Sequence, residues 1–289
     1  MHEVHAKGIV GQNGVVNFYR GCQHGCIYCD SRSTCYGMDH DFEDIEVKVN
    51  APELLEKALS RKRSWKMLFT GSMCDPYMPL EKELCLTRRC LEVIDKYGFG
   101  VSVHTKSDLV LRDADLIKKI NDRSKAVVVT TLTTFDDALT ALLEPNVAPT
   151  RRRYEMLCEF HRLGVPTAVW ITPILPFIND TKENLAGILG YCRDAGVRAV
   201  VCPNIGVTMR DGNRQYFYKK LDEHFPKMKE KYIKTYGDRY ELVSPHNDGL
   251  MRFAADFCRE NDILFGWDEP FSFIYGGLPR AEQLSLFDG

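Results

Sequence analysis

Residues 20–33 read R-G-C-Q-H-G-C-I-Y-C-D-S-R-S and place Cys22, Cys26 and Cys29 in the spacing C-x3-C-x2-C. Iron–sulfur cubanes are held by cysteine thiolates, and short spacings let one loop wrap a corner of the cluster. Three cysteines would bind three of the irons and leave the fourth iron open to a substrate or cofactor. Gly21 and Gly25 permit the tight backbone that such a loop needs. The segment therefore predicts a [4Fe–4S] cluster on these three cysteines.

The same cysteines allow two other interpretations. Zinc could take the three thiols together with Cys35 or His24 as a fourth ligand, and the thiols could also stand without a metal. Structural zinc sites usually present two C-x2-C-like pairs, whereas here the cysteines form one clustered set. This difference favours the cluster and leaves zinc as the alternative.

Short β-rich runs alternate with helical patterns on both sides of this segment. We predict strands at residues 15–19, 65–70, 101–105, 126–131, 167–172 and 197–202. Helices are predicted at residues 52–63, 84–97, 114–121, 151–163, 182–195 and 250–260. Strands that are nearly continuous in apolar residues are typical of parallel sheets covered on both faces.

Repeated βα units imply a parallel sheet with right-handed crossovers. The predicted fold class is therefore α/β, a barrel or partial barrel with its active site at the C-terminal ends of the strands. An open doubly wound sheet is the alternative. The βα rhythm stops near residue 205, so we expect a barrel over residues 1–205, a helical C-terminal extension over 206–280 and a tail over 281–289.

The composition of the 289-residue chain narrows the classes of function. A formal net charge of −2 gives no support to a protein that lives by nonspecific nucleic-acid binding. Eleven cysteines, an odd number, without an export signal favour a reducing cytoplasm over a disulfide framework. The chain contains no run of eighteen apolar residues, so we expect no membrane span.

The cysteine spacing, with the aromatic Tyr28 before the last cysteine, resembles that of the radical S-adenosylmethionine superfamily. Five further segments narrow the resemblance to its spore photoproduct lyase-like branch, which includes DNA repair photolyase-like proteins. These are N-F-Y-R ahead of the cysteines, D-P-Y-M-P-L-E, H-T-K-S, L-E-P-N-V-A-P-T-R-R-R and P-I-L-P-F-I-N-D, in consistent order over roughly residues 15–205.

This resemblance implies a partial (β/α)6 TIM-like barrel. It also implies that S-adenosylmethionine chelates the open iron, and that an external one-electron reductant drives formation of a 5′-deoxyadenosyl radical. The implied cofactor-binding residues are Tyr28, Gly71, Ser72, Cys74, Lys106, Thr131 and Arg153. Lys106 is implied to pair with the cofactor carboxylate, Thr131 to contact the ribose, and Arg153 to belong to a Glu-Pro…Arg pair with Glu144.

The implied catalytic residues are Tyr28, Ser72 and Cys74, and the chain departs from the branch at two related positions. Spore photoproduct lyase uses a cysteine as hydrogen donor in the strand-two turn, where this chain has Ser72 with Cys74 two residues later. It also has a tyrosine directly after the third cluster cysteine, where this chain has Asp30. A serine O–H is too strong to replace a thiol as hydrogen donor, so thymine-dimer reversal by that route would need Cys74.

The C-terminal residues 283–287, Q-L-S-L-F, resemble the peptide by which bacterial repair and replication proteins dock on the sliding clamp. An extended tail would present Leu284, Leu286 and Phe287 to an apolar pocket while Gln283 forms hydrogen bonds. The alternative is a tail that folds back and buries its leucines on its own domain. Clamp docking would bring the enzyme to DNA without a basic surface.

The leading hypothesis is thus a lyase-like radical S-adenosylmethionine enzyme in DNA lesion repair or nucleic-acid modification. One alternative is the same chemistry on a peptide, an RNA or a small molecule. Another, from a different class, is a metal-stabilised adaptor that binds the clamp or nucleic acid without catalysis.

Overall fold

A parallel sheet lies at the centre of the fold in the computed structural model, which describes residues 1–62 and 67–276. Within these residues the strands are β1 (His2–Val4), β2 (Tyr19–Arg20), β3 (Glu46–Lys48), β4 (Met67–Thr70), β5 (Gly100–His104), β6 (Ala126–Thr131), β7 (Thr167–Trp170), β8 (Ala199–Val201), β9 (Gly206–Thr208), β10 (Glu241–Val243) and β11 (Leu264–Gly266). The helices are α1 (Ala51–Leu59), α2 (Glu81–Leu84), α3 (Leu86–Tyr97), α4 (Ala114–Arg123), α5 (Asp137–Leu143), α6 (Thr150–Arg162), α7 (Lys182–Asp194), α8 (Asn213–His224), α9 (Met228–Tyr236), α10 (Asn247–Glu260) and α11 (Asp268–Tyr275).

The central sheet has six parallel strands in the order β11-β8-β7-β6-β5-β4. Its side chains alternate between two apolar layers, as the period of a strand requires. Val128 and Val169 join the large core under the outer helices, whereas Val127, Val129 and Ala168 face inward. The expected α/β class and the partial TIM-like barrel are confirmed.

The helices predicted between the strands are α1, α3, α4, α6 and α7, and each falls within a few residues of its expected bounds. Their buried side chains repeat at helical spacing, for example Leu86, Cys90, Leu91 and Ile94 on α3. Gly98 ends α3 with a φ of 70°, a backbone angle that favours glycine. Local apolar periodicity was therefore sufficient to find these elements.

The first predicted strand, residues 15–19, is wrong in its extent. Val15 forms a single parallel bridge to Phe69, and Val16 N donates to Phe69 O at 2.8 Å. The chain then leaves the barrel, because Tyr19 and Arg20 pair with β3 in a separate sheet of order β1-β3-β2. The sheet edge beyond β4 consequently carries one bridge in place of a full strand.

The segment predicted as a helical extension is not wholly helical. It supplies β11, which pairs in parallel with β8 and completes the six-stranded sheet. It also contains the antiparallel pair β9–β10, which packs with α8 and α9 around Phe217, Tyr232 and Leu242. Short strands of three residues give too little alternation to stand out among charged and aromatic neighbours.

Helix α11 packs against the inner face of the sheet. Its Ile274 is fully buried beside Val127, Val129 and Ala168. Lys125, just before β6, donates from Nζ to Gly276 O at 2.6 Å, where a cation suits the C-terminal end of a helix. The inside of the partial barrel is thereby filled by a helix from the far end of the chain.

None of the helices in residues 1–62 and 67–276 is long and apolar enough to cross a membrane. The predicted clamp peptide, residues 283–287, lies outside the described residues.

Candidate active site

A cavity of about 380 Å³ opens at the C-terminal ends of β4, β5, β6 and β7. Eight of the residues predicted as cluster or cofactor contacts line it. They are Cys22, Cys26, Cys29, Gly71, Ser72, Cys74, Lys106 and Thr131. Residues far apart in the chain meet here because parallel strands end at the same edge of the sheet.

The loop that carries the three cysteines is held by backbone hydrogen bonds on both sides. Cys22 N donates to Phe42 O at 3.1 Å, and Ile27 N donates to Leu143 O at 2.9 Å. Gly21 has a φ of 83°, and a Cβ there would lie 2.5 Å from Phe42 O. Glycine is therefore required at this turn, as the motif predicted.

The spacing of the three sulfur atoms fits a cubane better than a single ion. Tetrahedral zinc with Zn–S bonds of about 2.3 Å would hold two cysteine sulfurs about 3.8 Å apart. Within the described residues, the sulfurs of Cys22, Cys26 and Cys29 do not all lie within 4.8 Å of one another. A cubane binds each cysteine to a different iron, so its ligands stand farther apart.

The thiols differ in how easily they lose a proton. Burial raises the pKa of Cys26 and of Cys29 above the usual value. Burial also acts to raise the pKa of Cys22, but its hydrogen bond with His24 outweighs this and lowers the value. Because clusters bind thiolates, loading the site must release the protons from Cys26 and Cys29.

A buried ion pair that the sequence analysis did not single out lies beside Cys22. His24 Nδ1 is 3.3 Å from Asp75 Oδ2, and both side chains are more than nine-tenths buried. Burial alone would lower the pKa of His24, but the Asp75 carboxylate raises it to about 10. Asp75 also accepts from Thr105 Oγ1 at 2.6 Å and Lys106 N at 2.7 Å. The pair thus joins the cysteine loop to the ends of β4 and β5.

Lys106 presents an ammonium group to the cavity without an acidic partner. No carboxylate in the described part of the chain lies within ion-pairing distance of its Nζ, which is 5.9 Å from the centre of the Tyr28 ring. Burial opposes the charge, but the nearby Cys26 and Glu144 raise the pKa of Lys106 above its usual value. A lysine held charged in such a cavity is suited to bind a single anionic group.

Comparison with known proteins agrees with this geometry. The model of the radical SAM superfamily matches residues 16–202, which include the three cysteines and the ends of strands β4 to β8. The chain belongs to the radical SAM superfamily.

A relative of the radical SAM chain occurs in Methanocaldococcus jannaschii, where it is described as an uncharacterized protein. It is 35% identical over 176 residues, which are 60% of this chain and 65% of that relative. The chain therefore spans slightly less than two thirds of the length of this curated relative.

Two solved structures resemble the radical SAM chain in fold. One is a spore photoproduct lyase variant with bound AdoMet and dinucleoside spore photoproduct, with a TM-score of 0.61, 13% identity and coverage of 90% of this chain and 76% of that one. The other is Streptococcus suis SuiB bound to the precursor peptide SuiA, with a TM-score of 0.53, 12% identity and coverage of 89% and 49%. At these identities the likeness shows the fold.

Superfamily membership implies a [4Fe–4S] cluster and S-adenosylmethionine, and the cavity fits both. Three thiols spread too widely for one zinc ion share it with an unpaired ammonium group. The turn at Gly71, with a φ of 84°, brings backbone to the cavity wall where a Cβ would collide with the carbonyl oxygen of His104.

Two of the predicted cofactor contacts, Tyr28 and Arg153, are not among the residues that line the cavity, and their contact with the cofactor stays a prediction. The Tyr28 hydroxyl donates to Glu144 Oε1. Arg153 Nη2 donates to Glu144 Oε2 at 2.5 Å, and both of these side chains are fully buried. Arg153 Nη1 also donates to Thr131 O at 2.5 Å. Arg153 therefore forms the expected pair with Glu144, and through Thr131 and Tyr28 this pair supports the end of β6 and the cysteine loop.

Asp30, at the position where the family resemblance implied a tyrosine, is an anchor of the cysteine loop. Its Oδ2 accepts from the Tyr36 hydroxyl at 2.6 Å and from Arg210 Nη1 at 3.3 Å. Arg210 also donates to the Tyr240 hydroxyl at 2.9 Å. The residue next to Cys29 is thus tied to the unit formed by β9, β10, α8 and α9.

The two predicted catalytic residues of the strand-two turn differ in exposure. Cys74 is buried, its Sγ donates to Tyr19 O at 3.1 Å, and burial raises its pKa to about 12. It is therefore a neutral thiol at the cavity wall. Ser72 is exposed, with its Oγ 3.4 Å from Asn17 Oδ1. The catalytic roles of Tyr28, Ser72 and Cys74 stay predictions.

The sequence analysis did not single out several residues of the cavity, because each lies in a stretch of sequence that reads as an ordinary strand or helix. His104 ends β5, Trp170 ends β7, and Phe271 and Tyr275 come from α11. His104 Nε2 lies within hydrogen-bonding distance of Ser102 Oγ and the Tyr275 hydroxyl, at 3.0 Å and 3.3 Å. Position at a strand end was the one signal available for His104 and Trp170.

Proposed function

We propose that this radical SAM chain is an enzyme that acts on a nucleic acid, in lesion repair or base modification. The observation that carries the proposal is a single cavity that joins three cysteine thiols, a charged lysine and the ends of four parallel strands. Cys22, Cys26 and Cys29 would hold a cluster whose chemistry, when bound, would be one-electron reductive cleavage of S-adenosylmethionine to a radical able to take a hydrogen atom from the substrate.

The residues of the chain prepare this site in three ways. Cys22, Cys26 and Cys29 would hold the cluster, and the ion pair of His24 with Asp75 fixes the loop on which they lie. Lys106 would bind the carboxylate of S-adenosylmethionine. Apolar side chains in the cavity wall, such as Phe69 and Phe271, would help to keep water from a reactive intermediate.

Two observations support a nucleic-acid substrate. The fold resembles that of spore photoproduct lyase, which was solved with a dinucleoside spore photoproduct. The cavity also has apolar and aromatic walls that suit a base taken out of its stack. The fold likeness to SuiB, solved with a precursor peptide, makes a peptide the natural competitor.

The reconstituted enzyme with a reductant should cleave S-adenosylmethionine to 5′-deoxyadenosine. Deuterium should move from a labelled DNA substrate, especially UV-irradiated DNA, into that product. Transfer from RNA and not from DNA would make RNA the nucleic acid, whereas transfer from a peptide alone would overturn the proposed substrate class. Stoichiometric zinc without iron, or no cleavage by wild type, would favour a non-catalytic adaptor.

We also propose that the Q-L-S-L-F sequence at residues 283–287 docks the enzyme on the bacterial sliding clamp. The support is the peptide pattern itself, with Gln283, Leu286 and Phe287 at the spacing described above. Clamp should be retained on the immobilised full chain and lost when Leu286 and Phe287 are both changed to alanine. Equal retention by the two proteins would dispose of this proposal.

A further inference from the structure

Three metal-binding side chains meet on the small sheet of order β1-β3-β2, and none of them lines the cavity. His2 belongs to β1 and Glu46 to β3, and the parallel pairing of these strands sets the two residues side by side. His40 comes from the loop that leads into β3. One ligand atom from each of the three lies within 4.8 Å of the other two. We call His2, His40 and Glu46 the histidine cluster.

Both imidazole rings of the histidine cluster are oriented through Nδ1. His2 Nδ1 is 3.0 Å from Asp44 Oδ2, and His40 Nδ1 is 3.0 Å from the carbonyl oxygen of Asp41. An ionised carboxylate and a carbonyl oxygen can only accept, so each Nδ1 carries a proton. Histidines that bind a metal almost always donate their other ring nitrogen to such an acceptor. The arrangement leaves Nε2 of each ring to bind a metal.

Glu46 is the third ligand of the histidine cluster. Its Oε1 is 3.0 Å from His40 Nε2 and accepts from Arg20 Nη1 at 3.2 Å. Arg20 is itself fixed, because its Nη2 donates to the carbonyl oxygens of Tyr36 and Gly37 at 3.0 Å and 2.8 Å. Carboxylates that bind a metal are commonly hydrogen-bonded by a further residue in this way. The orientation of all three ligands is thus supported by their neighbours.

The loop that carries His40 has the charge that attracts a cation. Residues 37–46 read G-M-D-H-D-F-E-D-I-E and hold five carboxylates without a lysine or an arginine. Arg20, Arg32 and the amino terminus pair with three of these carboxylates. The remaining negative charge raises the local concentration of cations.

The donor set of the histidine cluster selects among metals. Two imidazole nitrogens and one carboxylate oxygen suit zinc, whereas calcium and magnesium take oxygen ligands. Zinc also binds a given set of nitrogen and oxygen ligands more tightly than Mn²⁺ or Fe²⁺ does. Tetrahedral zinc with bonds of about 2.0–2.1 Å holds its ligand atoms about 3.3 Å apart. Ligand atoms within 4.8 Å of one another reach that spacing by rotation of their side chains.

We propose that the histidine cluster binds one Zn²⁺ ion through His2, His40 and Glu46, with water as the fourth ligand. The ion joins β1 and β3 to the loop between β2 and β3. That loop also supports the cysteine motif, because Phe42 O accepts from Cys22 N at 3.1 Å. Zinc therefore braces the small sheet where it holds the cysteine loop. The inference is independent of the proposed function, since no residue of the histidine cluster lines the cavity.

The test counts metals in the loaded enzyme. The full chain, without a polyhistidine tag and reconstituted with its iron–sulfur cluster, is dialysed anaerobically against buffered Zn²⁺, and iron and zinc are measured by elemental analysis. Because the iron–sulfur cluster occupies Cys22, Cys26 and Cys29, wild type should hold one zinc ion per chain in addition to its iron. His2→Ala and His40→Ala should each bind zinc at least about a hundredfold more weakly, since loss of an outer partner alone costs about 10–100-fold.

His5→Ala is the matched control, because His5 is exposed near the same end of the chain and does not belong to the histidine cluster. It should hold zinc as wild type does. Zinc should also raise the melting temperature of wild type and of His5→Ala, but not that of His2→Ala. The side chain of His2 is 44% exposed, so its removal should leave the melting temperature without zinc unchanged and show that this variant folds.

Four results would overturn the inference. The first is a cluster-loaded wild type that holds no zinc, including zinc that is released when the iron–sulfur cluster is loaded and therefore lies on its cysteines. The second is equal zinc content in wild type, His2→Ala and His40→Ala. The third is equal loss from His5→Ala and His2→Ala, which means loose binding by surface histidines. The fourth is loss of zinc on replacement of the exposed Cys35 by alanine while His40→Ala keeps it.

Discussion

Removing the Arg153 guanidinium should destabilise the protein more than removing its neighbour on the same helix. Arg153 and Glu144 are both fully buried, and Glu144 also receives the Tyr28 hydroxyl from the cysteine loop. The Arg153→Met substitution keeps much of the buried volume but leaves the Glu144 carboxylate without its closest cation. It also leaves the carbonyl oxygen of Thr131 without its donor.

The magnitude follows from this burial. Breaking a buried ion pair by removing one partner costs about 3–5 kcal/mol, because the other charge stays buried. At roughly 2–4 °C per kcal/mol for a chain of this size, the melting temperature should fall by roughly 10 °C. Arg152 makes its ion pairs with Asp108 and Glu155 at a half-exposed position, so Arg152→Met should cost at most about 1 kcal/mol.

The pH dependence of the stability gives a second test of the Arg153→Met variant. Burial acts to raise the pKa of Glu144, but Arg153 and then Lys106 outweigh it and lower the pKa in the native protein. Because the pKa of Glu144 is lower in the folded than in the unfolded protein, the ionised carboxylate stabilises the fold at pH values above its usual pKa. This stabilisation is lost as the pH falls through the lowered pKa. Without Arg153 the pKa of Glu144 should rise, so the difference between wild type and variant should be largest at neutral pH and shrink in acid.

Urea unfolding followed by circular dichroism at pH 7 and pH 4.5 measures these differences, with Arg152→Met as the control. The iron content after reconstitution shows whether the Tyr28–Glu144 contact also supports the cysteine loop. The reasoning is refuted if Arg153→Met unfolds at the same urea concentration as Arg152→Met at pH 7. It is equally refuted if its deficit grows on acidification.

Four further outcomes are expected. Cys26→Ala should fail to retain iron and lose absorbance near about 400 nm, whereas the exposed Cys35→Ala should load normally; equal loading would remove Cys26 from the ligand set. Lys106→Met should bind S-adenosylmethionine at least about tenfold more weakly by equilibrium dialysis, and unchanged affinity would exclude the carboxylate contact. Burial lowers the pKa of His104 to about 4. Protonation of His104 should therefore account for about 2–3 kcal/mol of the stability lost between pH 6.5 and 4, so urea titration should find a loss smaller by that amount in His104→Gln. Asp30→Ala should release its cluster to a chelator faster than wild type does, and equal rates would mean that this carboxylate does not anchor the loop.

Secondary structure was predictable wherever one local pattern decided it. The strands at residues 126–131 and 167–170 are nearly continuous in apolar residues, and helices such as α3 show a buried face at helical spacing. The prediction failed at residues 15–19, because Tyr19 and Arg20 found partners in β3 and not in β4. It also missed β11, whose three residues become a strand only because the edge of β8 is free to pair with them. Strand pairing is a tertiary decision, and the local pattern does not contain it.

The cysteine spacing by itself determined which residues present thiols for a cluster, since the loop C-x3-C-x2-C is a local geometry. Lys106 and Gly71 could also be found, because they follow strands whose C-terminal ends must meet. Only the tertiary structure decided that Arg153 supports the site from behind and that Asp30 is bound by Arg210. It likewise decided that α11 packs inside the barrel and brings Phe271 and Tyr275 to the cavity. Those contacts join residues more than a hundred positions apart in the chain or depend on which face of an element is buried, and neither is set by the neighbouring sequence.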